Sequence, residues 1–130
     1  MSNMQTPMKR VRGSGAAGAG TDHFWIQRLT AVANVPLVLF LLVVLLTRMG
    51  ADYATARSSI ANPFVAIPLL LLVLSGVLHM YVGMQSIIED YAHGPGTKVV
   101  MLILNILFSA TIAVACLYAV LKISFSPPIM

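Results

Sequence analysis

The chain's few charged side chains, eight Lys/Arg and four Asp/Glu, leave three long uncharged windows, and these constrain the fold more than any other feature. The windows run over positions 29–47, 58–88 and 99–121, bounded by Arg28 and Arg48, Arg57 and Glu89, and Lys98 and Lys122. A stretch of about 20 mostly apolar residues spans a bilayer as a helix. Only 9% of the residues are charged, where a soluble domain carries about 25%. A surface so poor in charge excludes an ordinary soluble domain. The expected fold is all-α, with three transmembrane helices.

The pass along the chain sets the boundaries. Residues 1–22 carry Lys9, Arg10 and Arg12, then a Gly/Ala/Ser run to Gly20, and read as a flexible basic tail. They lack the apolar core of a secretory signal. Residues 23–123 form a three-span membrane domain, with helices expected at about 24–48, 64–91 and 98–123; residues 124–130 form a short C-terminal tail. The second window is too long to be span throughout, since its 31 residues would rise about 46 Å as helix. Ser58 to Pro63 therefore reads as loop and helix start, and Gly94-Pro95-Gly96 as a stop.

Three spans put the termini on opposite sides. Lys9, Arg10, Arg12, Arg28 and Lys98 fall on the N-terminal side, against Arg48, Arg57 and Lys122 on the other. By the positive-inside rule the N-terminus is expected to be cytoplasmic. This topology also accounts for the basic pI near 9.7 without nucleic acid as a partner. The length leaves no room for a catalytic domain outside the membrane. A single cysteine, Cys116, excludes a disulfide framework and a Cys-based metal site within the chain.

His79 is the most informative residue, because it lies well inside the second span. An ionisable side chain within a membrane is costly and points to function. It reads either as a histidine hydrogen-bonded to a neighbouring helix or as a ligand, since neutral imidazole binds metals and haem iron. At about 100° per residue, Asp90 falls only about 20° round the helix from His79. Ser75, Gly83 and Ser86 share that stripe, with Gly76 at its edge. Small residues admit either another helix or a flat macrocycle. Neither of the other spans holds a mid-membrane histidine. If a haem needs two, the second must come from another chain.

Glu89, Asp90, Tyr91 and His93 cluster where this span ends. A phenol beside a carboxylate at a wet, apolar boundary suits a quinone, whose carbonyls need donors and whose reduction needs protons. On the same side, Asp22-His23-Phe24-Trp25-Ile26-Gln27-Arg28 leads into the first span. Trp25 and Phe24 fit an aromatic belt. Arg28 is either a flanking positive charge or the partner of an anionic group such as a haem propionate.

The run from Ser75 to Tyr91, with His79, then Gly83-Met84 and Asp90-Tyr91, resembles the hydrophobic membrane anchor family of succinate dehydrogenase, respiratory complex II. His23 to Ala31, with its Arg28-x-Thr30-Ala31, is similar to that family's start of the first helix. The resemblance covers about residues 21–123. It implies that His79 is an axial ligand of haem b iron, with the opposite histidine supplied by a sister cytochrome b anchor subunit. It implies that Asp90 and Tyr91 flank the ubiquinone site, and that Arg28 lies near the haem propionates. Trp25 is placed near the quinone pocket by position only.

The function so implied is that of a non-catalytic subunit holding the flavoprotein and iron–sulfur subunits on the membrane. It would share haem b and line part of the site of ubiquinone reduction. A bacterial inner membrane is expected over a mitochondrial one, because the family-like sequence starts within about 20 residues of Met1. Two alternatives remain at this point. One is the anchor of a fumarate reductase; the other, of a different class, is a small proton-coupled transporter or channel subunit using His79 and Asp90.

Overall fold

The computed structural model of the chain describes Met8 and residues 18–126. The described residues form four helices and no strand: α1 (Gly18–Thr47), α2 (Tyr53–Ala61), α3 (Pro63–Tyr91) and α4 (Pro95–Phe125). Three of them contain segments long and apolar enough to cross a membrane: Thr21–Thr47, Pro63–Tyr91 and Pro95–Phe125. The expected three-span, all-helical architecture is therefore found.

Local chemistry sets the helix ends. α1 is followed by a turn at Arg48–Gly50, where Gly50 takes a positive φ of 80° that side chains resist. α3 starts on Asn62, whose Oδ1 accepts a hydrogen bond from the Phe64 N–H at 2.9 Å. Pro63 follows at the position where its missing N–H does no harm. Pro95 opens α4 in the same way. Gly94-Pro95-Gly96 is thus both the break after α3 and the beginning of α4.

Two features differ from the expectation. α1 begins at Gly18, so residues 18–22 of the expected tail are helical, while that tail's residues 1–17, apart from Met8, lie outside the described residues. A glycine lowers helix stability by about 1 kcal/mol, but extending a long formed helix avoids the cost of nucleation. The second difference is α2. Residues 53–61, polar and rich in Ala, Ser and Thr, form a short helix that contacts α3 and α4. At the other end α4 runs on to Phe125, with Lys122 in its last turn; residues 127–130 of the expected C-terminal tail lie outside the described residues.

α3 is the centre of the bundle. It packs against α1 on one side and α4 on the other, while the backbones of α1 and α4 do not approach each other. Little is buried among the described residues, and half of it is polar. Ala66, Val82 and Ile88 are buried together with Thr30, Asn105 and Ser109, whereas Leu29, Val32 and Leu46 stand exposed. This inverts the pattern of a soluble protein and suits lipid, where apolar side chains gain nothing by leaving the surface. Helix association there rests on close packing and interhelical hydrogen bonds. The bonds are present on both sides of α3. Asn105 Nδ2 of α4 donates to the Tyr81 carbonyl at 3.1 Å. On the α1 side, Ser75 Oγ donates to the Thr30 carbonyl at 3.4 Å.

Candidate functional site

Proceeding along α3, its polar stripe meets α1 residue by residue. Ser75 reaches the Thr30 carbonyl, and one turn later His79 Nδ1 lies 3.1 Å from Thr30 Oγ1. Gly83 follows, so close to α1 that an added Cβ would stand 3.1 Å from Gln27 Nε2. Beyond it, Ser86, Glu89 and Asp90 of α3 face His23, Phe24, Gln27 and Arg28 of α1 across a cleft of about 600 Å³. The two helices run antiparallel, which brings the start of α1 and the end of α3 to one side of the membrane.

His79 and Thr30 form the first part of the candidate site. Thr30 is buried and His79 half-buried. The threonine hydroxyl has one hydrogen and three neighbours to share it with: the Ile26 carbonyl at 2.7 Å, the Gln27 carbonyl at 3.1 Å and His79 Nδ1 at 3.1 Å. The Ile26 carbonyl is nearest and sits at the usual O–H···O length. With its hydrogen on that carbonyl, the hydroxyl can accept from His79 Nδ1–H, the role of each partner depending on the imidazole tautomer. In a neutral imidazole with hydrogen on Nδ1, the lone pair lies on Nε2. The histidine is thus both the helix-to-helix hydrogen bond and a candidate ligand. The two readings that the sequence leaves open are compatible.

Among the described residues no three His, Cys, Asp or Glu side chains converge as a metal cage. This chain would offer a metal one imidazole. That donor set fits iron already held in a macrocycle and needing only axial ligands. One flank of α3 is left uncovered by the rest of this chain. Gly76 has nothing within 4 Å of where a Cβ would stand, and Met84, Ile87 and Tyr91 on the same flank are exposed. These residues fall roughly 60–140° round the helix from His79 by the 100° rule. Ser75 and Gly83 face α1 instead, so close helix packing accounts for those two.

The cleft is the second part. His79 and Asp90 are about 16 Å apart along α3 at 1.5 Å per residue. Asp90 and Arg28 both line the cleft, and the Arg28 guanidinium stacks over the Phe24 ring at 4.4 Å. Tyr91 is not among the lining residues and is 78% exposed. Consecutive helical residues differ by about 100°, so Asp90 turns toward α1 and Tyr91 toward the open flank. Trp25 is exposed, its ring edge-on to Phe24 at 5.8 Å, and it does not line the cleft. Glu89 is tied down by its neighbours: its carboxylate accepts from Gln85 Nε2 at 2.8 Å and its carbonyl from Lys98 Nζ at 3.1 Å.

Two residues of the site had no role from sequence reasoning. Thr30 was visible only as part of Arg28-x-Thr30-Ala31, and Gln27 as part of the run leading into the first span. Gln27 lines the cleft and covers Gly83, and its Oε1 is buried without a hydrogen-bond partner. The available signal was an amide and a hydroxyl set three residues apart where α1 enters its apolar stretch.

Comparison with known proteins identifies the family of the chain. Residues 2–118 match the family described as succinate dehydrogenase/fumarate reductase transmembrane subunit. The chain is 30% identical over 117 residues to a succinate dehydrogenase hydrophobic membrane anchor subunit from Paracoccus denitrificans, covering 90% of each chain. It is 32% identical over 111 residues to one from Rickettsia bellii, covering 85% of this chain and 89% of that one. A succinate dehydrogenase membrane anchor subunit from Reclinomonas americana is 32% identical over 89 residues, 66% of this chain and 74% of the relative. No solved structure matches the chain. With its three apolar helices, and with a match to the family over nearly its whole length, this multi-pass membrane protein belongs to the succinate dehydrogenase/fumarate reductase transmembrane subunit family.

Proposed function

We propose that the chain is the anchor and cytochrome b subunit of a succinate dehydrogenase, sharing one haem b with a sister anchor subunit and part of a ubiquinone site with its partners. The flavoprotein and iron–sulfur subunits would sit at the membrane face bearing the cleft. The observation that carries this reading is the 3.1 Å contact between His79 Nδ1 and Thr30 Oγ1, which in the tautomer with hydrogen on Nδ1 leaves the Nε2 lone pair of a mid-span histidine uncommitted. Haem b, when bound, supplies a one-electron carrier. A second histidine for the haem would come from the sister subunit, since His23 and His93 of this chain stand at the ends of the spans. Arg28 offers its guanidinium to the anionic propionates.

The quinone site follows from the division between Asp90 and Tyr91. Asp90 faces the cleft and is placed to hold a proton, while the Tyr91 phenol donates to a quinone carbonyl from the open flank. No single subunit encloses a ligand reached from both directions. The substrate is held between this chain and the partner covering Tyr91, which is why the chain has no complete active site of its own.

Five basic residues on the N-terminal side against three on the other favour a cytoplasmic N-terminus. The cleft then opens at the cytoplasmic face of a bacterial inner membrane. The family description covers fumarate reductases too, but the relatives named above are succinate dehydrogenase subunits, which favours succinate oxidation. The test is to tag the chain, purify it from its native membrane in mild detergent, and assay what accompanies it. Flavoprotein, iron–sulfur subunit, b-type haem and succinate–ubiquinone reductase activity are expected. A purified assembly without haem and without that activity would overturn the proposal.

A further inference from the structure

We infer that Thr30 is the positioning residue for the haem ligand: it fixes which nitrogen of His79 faces the iron and strengthens that nitrogen as a donor. The inference rests on the proposed haem ligation by His79 and adds a residue to which no role has been given. Four observations carry it. Thr30 is buried, with 8% of its surface exposed, at the crossing of α1 and α3. Its hydroxyl is held by the Ile26 carbonyl at 2.7 Å, so the oxygen presents lone pairs toward α3. His79 Nδ1 lies 3.1 Å away, within reach to donate to that oxygen in the tautomer with hydrogen on Nδ1. Ser75 adds a second tie, donating to the Thr30 carbonyl at 3.4 Å.

The consequence is chemical as well as geometric. A histidine that ligates a metal through one nitrogen commonly donates its other N–H to an acceptor, which fixes the tautomer and raises the basicity of the ligating nitrogen. The chain Nδ1–H to hydroxyl to carbonyl polarises each member in the same direction. A more basic Nε2 favours ferric over ferrous iron, so the Thr30 hydroxyl lowers the reduction potential of the haem. It also holds the imidazole ring against rotation, because His79 and Ser75 are both anchored to the same residue of α1.

Three variants in the purified complex test this, with flavin content as the measure of assembly. Thr30→Ser keeps the hydroxyl, Thr30→Val keeps the shape, and Thr30→Ala keeps neither. The readouts are haem per flavin, the haem midpoint potential by optical titration, and the low-spin electron paramagnetic resonance spectrum. Thr30→Ser should match wild type. Thr30→Val and Thr30→Ala should agree with each other despite their different volumes, with haem retention falling and the potential rising. A tenfold loss of preference for ferric iron would read as about 59 mV for one electron. If Thr30→Val fails to assemble, Thr30→Ala against Thr30→Ser decides the same question. Wild-type potential and spectrum in Thr30→Val or Thr30→Ala would overturn the inference, and so would an altered Thr30→Ser. A b-type signal unaffected by removal of His79 would instead refute the haem reading on which it depends.

Discussion

Replacing Gly83 by leucine should force α1 away from α3 at the level of His79. A Cβ at position 83 would already lie 3.1 Å from Gln27 Nε2 and 4.0 Å from its Cδ, where ordinary contact begins near 3.4 Å. Alanine requires the flexible amide tip to yield by a few tenths of an ångström. It also gains up to about 1 kcal/mol of helix propensity, so Gly83→Ala should be close to neutral. Leucine adds three further carbons toward the α1 backbone, an overpacking that costs roughly 1–3 kcal/mol. Gly83 is one turn from His79, whose bond to Thr30 is 3.1 Å. A separation of about 1 Å would stretch it beyond any hydrogen bond. Losing such a support costs about 10–100-fold in metal affinity, so haem per flavin should fall in the purified complex, together with its thermal midpoint. Gly76→Leu is the control, because nothing in this chain lies within 4 Å of a Cβ there. It should leave the α1–α3 pair intact while displacing haem or the sister subunit. Wild-type haem content and midpoint in Gly83→Leu would refute the reasoning.

Other consequences follow from the same geometry. Asn105 is buried and bridges Tyr81 and Ser109 between α3 and α4. Interhelical hydrogen bonds in membranes average about 0.6 kcal/mol and reach about 1.7, so Asn105→Leu should lower the thermal midpoint only slightly; collapse of the complex would show that the bond matters more. Tyr91→Phe removes the phenolic donor, worth about 1 kcal/mol as a neutral hydrogen bond. Succinate–ubiquinone activity should fall severalfold, while succinate oxidation with an artificial acceptor is unchanged. Equal loss in both assays would place Tyr91 outside the quinone site.

The spans were legible because lipid imposes a simple rule on composition: charge is expelled from stretches of about 20 residues. The same rule says nothing about α2, whose Arg57, Ser58 and Ser59 carry no span signal. It is also silent on the glycines of α1, where extension of a formed helix outweighs their poor propensity. Within α3, helical arithmetic placed His79 and Asp90 on one stripe, and the structure keeps them there. What it could not supply was the register between helices. That Thr30, out of all the residues of α1, stands opposite His79 depends on the antiparallel crossing of two separate segments. The division of Asp90 and Tyr91 between cleft and open flank was legible in principle, since adjacent helical residues point about 100° apart. Their adjacency along the chain obscured it.

The central claim is that His79 Nε2 ligates haem iron, and a reduced-minus-oxidised absorbance spectrum of the purified complex tests it most directly. Wild type should show a low-spin b-type signal. His79→Leu, purified with its flavin content intact, should lose that signal or show it converted to a high-spin form. An unchanged low-spin signal in His79→Leu would contradict the assignment.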